Sequence, residues 1–221
     1  MLTQHFYKLL EEGVNDLIHH FLESPYAFYT ESDLHCSLYH LLSNLGLNKD
    51  CHVNIGNHIV PSTILHKEYP TKGRYKRKHD DSSYKLKKGS RGHFDLCLWD
   101  PNVSHDRYFR RSGGVDEQRT IAAVEISLNE HHARFQWHVY WDLVKLTDSI
   151  NEVDKGIILF FIRDYPYKRV KFPLDGFLRK LHEMFGSEDR IDIIYIERNI
   201  DEKIVWMISD TTFGKYKHYA L

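Results

Sequence analysis

The chain has 221 residues, of which 42% are hydrophobic and 14% aromatic, and its formal net charge is −1 at pH 7. This length and apolar content predict one large domain, spanning residues 1–221, with a substantial core. A net charge near zero excludes a polyanion-binding surface that covers the whole molecule, so any contact with nucleic acid has to come from local patches.

No apolar run approaches the roughly 20 residues that a membrane-spanning helix needs, and no charged-then-apolar leader opens the chain. The three cysteines, Cys36, Cys51 and Cys97, form no CxxC pair, which argues against a disulfide framework and a structural zinc site. These features predict a cytoplasmic protein with no membrane partner. The sixteen histidines are scattered along the chain, so a histidine metal cluster is not expected.

Two helices are predicted near the start of the chain. Apolar residues recur at helical spacing over residues 2–23, but Gly13 interrupts them, so one kinked helix and two short helices both fit. The segment TESDLHCSLYHLLSNLGL predicts a further helix, which Thr30 or Ser32 can cap and Gly46 can end. We expect these helices, at about 1–48, to pack on the core.

The next part of the chain combines strands with two basic segments. Residues 52–69 have strand character and end before Pro70. Residues 71–92 contain nine Lys/Arg against two Asp and almost no aliphatic side chains, which predicts a long basic loop. A second loop of this kind is predicted at 104–119.

The second half of the chain alternates helices and strands. A long helix is predicted at 130–150, a fully buried strand at 157–163 and a helix at 172–186. Strands follow at 191–197 and 203–209. This order predicts an α/β fold, an α/β/α sandwich with a central mixed sheet.

Two of the predicted strands carry a carboxylate within an apolar run: Asp95 in RGHFDLCLWDP and Glu125 in IAAVEISLN. Burying an unpaired carboxylate costs several kcal/mol unless another group compensates its charge. Adjacent strands could bring the two acids together, and convergent carboxylates are the oxygen ligands that Mg²⁺ prefers. Such metals activate water and stabilise charge on a phosphate, so we expect a divalent cation here.

The ordered set of acid-bearing segments resembles the PD-(D/E)XK nuclease superfamily over roughly residues 28–165. The segments are TESDLHCSLYHLL with Glu31, LHKEYP with Glu68, GHFDLCLWDP with Asp95, AAVEISLN with Glu125, and a helix containing WDLVKL. The resemblance implies a restriction-endonuclease-like fold and a nuclease that hydrolyses DNA phosphodiester bonds. It also implies Mg²⁺ or Mn²⁺ as cofactor, bound by Glu31, Asp95 and Glu125.

The lysine of the superfamily motif is replaced in this chain by Ser127. A serine hydroxyl is neutral and short, so it cannot supply the charge of a lysine ammonium. The following helix offers a substitute, because His138, Asp142 and Lys145 are spaced four and three residues apart and share one stripe. Lys145 could therefore reach Glu125, with Asp142 positioning it. The catalytic candidates are Asp95, Glu125, Ser127 and Lys145.

Simpler roles fit several of these residues equally well. Glu31 in the first turn of a helix can serve as a capping or dipole residue. Asp142 and Lys145 can form an exposed ion pair that contributes a few tenths of a kcal/mol. Glu68 can pair with the neighbouring basic segment, and Lys67 competes with Lys145 as the catalytic lysine.

The basic segment is expected to bind DNA, because lysines beside an acidic metal site restore attraction for a phosphate backbone. It could equally be a solubilising insertion without a partner. The predicted nucleic-acid-binding residues are Lys72, Arg74, Lys76, Arg77, Lys78, Lys87, Lys88 and Arg91. The alternative function is a degenerate superfamily member that binds nucleic acid or a protein without cleavage. Cleavage of both strands of a duplex would favour a homodimer.

Overall fold

The structure, a computed structural model of the chain, describes residues 2–55, 58–75, 90–100, 105–107, 119–128, 133–163, 190–198, 203–209 and 212–215. Its helices are α1 (Leu2–Glu23), α2 (Glu31–Asn44) and α3 (Ala133–Thr147). Its strands are β1 (Asp50–Ile55), β2 (His58–Thr63), β3 (Leu65–Tyr75), β4 (Ser90–Trp99), β5 (His105–Arg107), β6 (Thr120–Leu128), β7 (Val153–Arg163), β8 (Ile191–Arg198), β9 (Lys203–Ser209) and β10 (Thr212–Lys215).

Seven of these strands form the main sheet, in the order β10-β9-β8-β7-β6-β4-β3. β6, β7 and β8 run parallel to one another, and the outer pairs of the sheet are antiparallel. The strands β1, β2 and β5 form a separate three-stranded sheet. The chain is therefore a mixed α/β protein with a mixed central sheet, as the sequence predicts.

Helices cover both faces of the main sheet at β7. Side chains alternate between the faces of a strand, so positions 156 and 161 face opposite sides. Leu146 of α3 lies over Gly156, with its Cβ 3.2 Å from the place that an added Cβ would take. Phe21 of α1 packs on Phe161, with ring centroids 4.8 Å apart. α1 and α3 are thus outer layers on opposite faces.

The first predicted helix is one continuous helix, α1, rather than two. Gly13 lies where α1 meets α2, and a Cβ added there would be only 2.5 Å from Leu42 Cδ2. Glycine therefore permits a close contact of the two helices instead of ending α1. Thr30 is the N-cap of α2 and forms a capping box with Asp33, whose Oδ2 accepts a hydrogen bond from the Thr30 backbone N–H over 2.7 Å.

The first basic segment, 71–92, is not a loop throughout, contrary to the prediction. β3 continues through Pro70 to Tyr75 and pairs with β4 from Ser90 onward, across a register shift. Proline is tolerated there because β3 is the edge strand of the main sheet, where an N–H is not needed for a second ladder. Residues 76–89 lie outside the described part of the chain.

The second basic segment, 104–119, also differs from the prediction. His105–Arg107 forms β5, which pairs in parallel with β1, so three residues of the predicted loop belong to a sheet. Residues 108–118 and the helix predicted at 172–186 lie outside the described part of the chain. Among the residues that are described, no helix is long and apolar enough to cross a membrane.

Replacing Gly156 with valine is expected to lower the free energy of unfolding by about 1–3 kcal/mol. An added Cβ would meet Ile191 Cδ1 at 2.5 Å and Leu146 Cβ at 3.2 Å, and the Leu146 Cβ can retreat only if α3 moves with it. Gly156→Ala adds less volume and should cost less. Urea denaturation measures both values. A valine variant as stable as the wild type would mean that α3 does not depend on this close approach.

Candidate metal centre and lysine–carboxylate cluster

The site forms where the antiparallel strands β4 and β6 part. Their ladder runs from the Trp99–Thr120 pair to the Leu96–Val124 pair. Immediately beyond it, the carboxylate of Asp95 accepts a hydrogen bond from the Ile126 backbone N–H, with Oδ2 2.7 Å from the nitrogen. The strand end thus supplies a donor that partly compensates the charge of Asp95.

Glu125 lies at the same end of β6, and its side chain is 2% exposed. Lys145 of α3 reaches it, with Nζ 2.6 Å from Glu125 Oε1 and 2.9 Å from Asp142 Oδ1. The same ammonium also donates to the His93 carbonyl over 3.0 Å. These three acceptors match the three N–H donors of a lysine. Glu125, Asp142 and Lys145 are called the lysine cluster below.

The lysine cluster contains two buried acids and one ammonium. Burial raises the pKa of Glu125 well above its usual range; Lys145 opposes this effect, whereas Asp142 and Asp95 add to it. Burial likewise raises the pKa of Asp142, against the attraction of Lys145. The two carboxylates raise the pKa of Lys145 in spite of its burial. One ammonium thus serves two buried acids, which disfavours the state in which both acids are charged.

A second group lies beside it and includes a residue that the sequence analysis did not single out. His35 of α2 is 5% exposed, and its Nε2 lies 3.3 Å from Asp95 Oδ2 and 3.9 Å from Glu31 Oε1. One ligand atom from each residue falls within 4.8 Å of the others. Glu31, His35 and Asp95 are called the acid–histidine cluster below.

The pKa values of the acid–histidine cluster follow from burial and from mutual charge. Burial and Asp95 raise the pKa of Glu31. Burial also acts on Asp95, but His35 and the Ile126 N–H outweigh it and lower the pKa of that carboxyl. Burial acts to lower the pKa of His35, and Asp95 together with Glu31 raises it overall.

His35 has a signal in the sequence that points to it. Glu31 and His35 are spaced i, i+4 on α2, the spacing that places two side chains on one helix face. The expectation of no histidine metal cluster rested on the scatter of the histidines along the chain, and it did not consider a histidine beside an acid on one helix. Glu31 is indeed in the first turn of α2, but it also belongs to this cluster.

The structure separates the two candidate lysines. Lys145 contacts Glu125, as the helical spacing suggested, whereas Lys67 Nζ lies 3.4 Å from Cys36 Sγ on α2. Ser127, which the resemblance aligns with the motif lysine, is buried, and its hydroxyl lies 3.5 Å from His138 Nδ1. The Ser127 side chain therefore faces the first half of α3. Among the described residues, it makes no hydrogen bond to Glu125, Asp142 or Lys145.

Hydrogen bonds at the C-terminal end of α3 hold the backbone of Lys145 in place. Asn151 donates through Nδ2 to the Lys145 carbonyl over 2.6 Å and accepts through Oδ1 from the Gly73 N–H over 2.9 Å. Arg190 donates to the carbonyls of Thr147 and Val153 over 3.0 and 3.1 Å. The end of α3 is therefore tied to β3 and to the start of β7, which fixes the position from which Lys145 extends.

Of the predicted nucleic-acid-binding residues, only some lie in the described part of the chain. Lys72 forms an ion pair with Glu152 and is largely buried. Arg74 and Arg91 occupy facing positions in the β3–β4 ladder. The others, Lys76, Arg77, Lys78, Lys87 and Lys88, lie outside the described residues.

Three of the four acids that the sequence analysis named on these segments thus converge: Glu31, Asp95 and Glu125 lie around the end of β6, whereas Glu68 is exposed on β3. Glu31 and Asp95 belong to the acid–histidine cluster with His35, whereas Glu125 pairs with Lys145. Such an arrangement can hold a divalent cation beside an ammonium. Comparison with protein-family models, with curated proteins and with solved structures gave no match. The resemblance to a nuclease superfamily therefore rests on the residues alone.

Proposed function

We propose that the chain is a metal-dependent nuclease that hydrolyses phosphodiester bonds in DNA. The observation that carries the proposal is the convergence of Asp95, Glu125 and Lys145 where β4 and β6 part. Carboxylates on two adjacent strands, with a lysine beside them, are what the PD-(D/E)XK resemblance implies for a restriction-endonuclease-like fold. The lysine comes from α3, which is the substitute that the helical spacing predicts.

The acid–histidine cluster fits a divalent metal. His35 is buried, and neither of its ring nitrogens makes a well-aligned hydrogen bond with the described residues. A buried imidazole and two carboxylates whose ligand atoms lie within 4.8 Å of one another can share one cation. Glu31, His35 and Asp95 would hold it, and it would supply an activated water and stabilise negative charge on a phosphate. Because imidazole suits transition metals better than Mg²⁺, the cluster favours Mn²⁺ over Mg²⁺.

Lys145 has two tasks in this proposal. It compensates the charge of Glu125 and Asp142, and it holds an ammonium where negative charge develops on a phosphate. All three of its N–H donors have acceptors in the described residues, so donation to a substrate requires it to release one of them. The His93 carbonyl, at 3.0 Å and neutral, is the weakest of the three.

The same saturation of Lys145 supports a second candidate function. If Lys145 only balances Glu125 and Asp142, and Ser127 cannot replace the motif lysine, the protein binds nucleic acid without cleaving it. Metal binding would then stabilise the fold or the complex. This candidate belongs to a different class, a binding protein, and the cleavage experiment separates it from a nuclease.

Purified protein is expected to cleave plasmid, single-stranded or branched DNA with Mn²⁺ or Mg²⁺ and not with EDTA. Asp95→Asn should lower the cleavage rate by at least about 100-fold, the equivalent of ~2.7 kcal/mol in the barrier. The asparagine keeps the size of the side chain but removes the charge that holds a cation. Gel electrophoresis of the products measures the rates.

Asp16→Asn is the matched control, because Asp16 is an exposed acid on α1. It should cleave at the wild-type rate. Cleavage that survives in Asp95→Asn or in EDTA would contradict the proposal. Absence of cleavage in every condition, with DNA binding retained, would instead establish the binding protein.

A further inference from the structure

Two large aromatic side chains project into solvent from the connection between α1 and α2. Tyr29 is 81% exposed and Tyr26 is 51% exposed. They account for two of the four exposed large hydrophobic residues in the described part of the chain; the other two are Ile59 and Ile150. Exposed aromatics that share one short segment are typical of a contact surface. Tyr26 and Tyr29 are called the tyrosine pair below.

One buried arginine donates hydrogen bonds to the backbone that carries the tyrosine pair. Arg163, at the end of β7, is 5% exposed and donates to the carbonyls of Pro25, Phe28 and Tyr29. The Tyr29 N–H also donates to Asp33 Oδ2 over 2.9 Å. Because the backbone of this segment is already fixed, a ligand that binds its side chains has little backbone conformational entropy left to remove.

The tyrosine pair lies next to the acid–histidine cluster. Tyr29 precedes Glu31 by two residues, so their Cα atoms are at most about 7 Å apart. The sheet register supports this proximity. Strands β6 and β7 are parallel neighbours, so the end of β7 at Arg163 lies beside the end of β6 at Ser127 and Leu128. The exposed aromatics and the proposed metal site therefore share one edge of the main sheet.

A nucleic acid needs attraction at this edge that is not electrostatic. Glu31, Asp95, Glu125 and Asp142 repel a phosphate backbone until a cation binds. Lys145 is paired with two of these acids, and Lys67, whose Nζ lies 3.4 Å from Cys36 Sγ, adds one ammonium against the others. Stacking of a base on an aromatic ring does not depend on charge and is available for every base. Bases in a duplex already stack on one another, so only unpaired bases can use an aromatic side chain fully.

We propose that the tyrosine pair stacks unpaired bases of a single-stranded polynucleotide whose backbone lies at the acid–histidine cluster. This inference rests on the proposed function and gives it a substrate class: single strands, or the single-stranded part of a branched molecule. Tyr29 makes the principal contact, because it is the more exposed ring and the closer one in sequence to Glu31. Tyr26, over which the Arg163 guanidinium lies 5.8 Å from the ring centroid, supports a second base.

Fluorescence anisotropy with labelled oligothymidylate, oligouridylate and a DNA duplex tests binding; Ca²⁺, a hard cation that binds carboxylates, replaces Mn²⁺ and Mg²⁺ so that the acids are compensated while cleavage is suppressed. Tyr29→Ala is expected to weaken binding of the single strands by about 5- to 150-fold, which corresponds to ~1–3 kcal/mol per stacked base. Tyr29→Phe keeps the ring and should stay within about twofold of the wild type. Ile59→Ala, an exposed apolar residue on the separate sheet, is the matched control and should bind like the wild type.

Wild-type affinity of Tyr29→Ala for the single strands would overturn the inference. Equal losses of affinity in Tyr29→Phe and Tyr29→Ala would overturn it too, and so would an equal effect of Tyr29→Ala on the affinities for duplex and single strand. A wild-type protein that binds none of the three probes overturns it as well. The proposed function fails separately: stacking at Tyr29 without any cleavage refutes the nuclease, whereas cleavage that is indifferent to Tyr29→Ala refutes only the stacking. The DNA and RNA probes show which sugar the surface accepts.

Discussion

Replacing Lys145 with methionine is expected to lower the free energy of unfolding at pH 8 by about 3–5 kcal/mol, the usual cost of removing one partner of a buried ion pair. Methionine keeps most of the apolar stem but leaves Glu125 and Asp142, both buried, without a cation. Urea denaturation monitored by circular dichroism gives the value. The variant is also expected to lose cleavage activity, because the ammonium at the site is gone.

The loss should depend on pH in a defined direction. In the folded protein the pKa of Glu125 is raised above its ordinary 4.5, so the folded state binds this proton more tightly than the unfolded state does. Such a group favours folding at pH values below 4.5, and this contribution is lost as the pH rises through the folded pKa. Lys145 opposes the rise of the Glu125 pKa. In the variant without Lys145, the pKa of Glu125 in the folded protein is therefore higher still. The Lys145→Met variant should therefore be less impaired at pH 5 than at pH 8.

Two further variants separate stability from catalysis. Glu125→Gln combined with Lys145→Met removes one buried charge and should recover part of the lost stability, but no activity. Lys155→Met is the control, because Lys155 pairs with Asp192 at 2.7 Å in a more exposed position, where loss of a pair costs within about 1 kcal/mol. An Lys145→Met variant as stable as the control, or equally impaired at both pH values, would show that Glu125 is not compensated by this lysine.

Much of this site could be predicted because strand and helix periodicities are local. An acid inside a short apolar run, as at Glu125, has few explanations other than a compensated buried charge, and the stripe of Asp142 and Lys145 follows from helical spacing alone. The compensation itself depends on tertiary contacts. The helical spacing suggested the ammonium of Lys145 for Glu125, which the structure shows, but nothing in the sequence indicated the Ile126 N–H that donates to Asp95.

The differences have physical causes that a single sequence does not display. β3 and β4 continue into the basic segment because edge pairing overrides the low strand propensity of lysine, arginine and glycine. His35 joins Asp95 only because α2 packs over the middle of β4, a contact between segments about 60 residues apart. The sequence analysis did single out Glu31. The i, i+4 spacing of Glu31 and His35 on α2 was therefore the local feature from which His35 could have been found.

Replacing His35 with alanine is expected to lower the affinity for Mn²⁺ by at least about 100-fold, since even the residues that orient metal ligands contribute 10- to 100-fold. The change removes the nitrogen of the acid–histidine cluster and leaves Glu31 and Asp95. Affinity for Mg²⁺ should fall less, because Mg²⁺ takes oxygen ligands and water in place of imidazole. Isothermal titration calorimetry with each chloride salt measures both affinities on protein free of nucleic acid.

His40→Ala is the matched control for this variant. His40 is an exposed histidine on the same helix, and its Nε2 lies 3.0 Å from Asn44 Nδ2, away from the acid–histidine cluster. Its Mn²⁺ affinity should equal that of the wild type, and circular dichroism confirms that both variants are folded. Equal Mn²⁺ affinities for His35→Ala and His40→Ala would remove His35 from the metal site. The buried imidazole would then serve only as the charge partner of Asp95, and Mg²⁺ bound by carboxylates alone would become the better description of the cofactor.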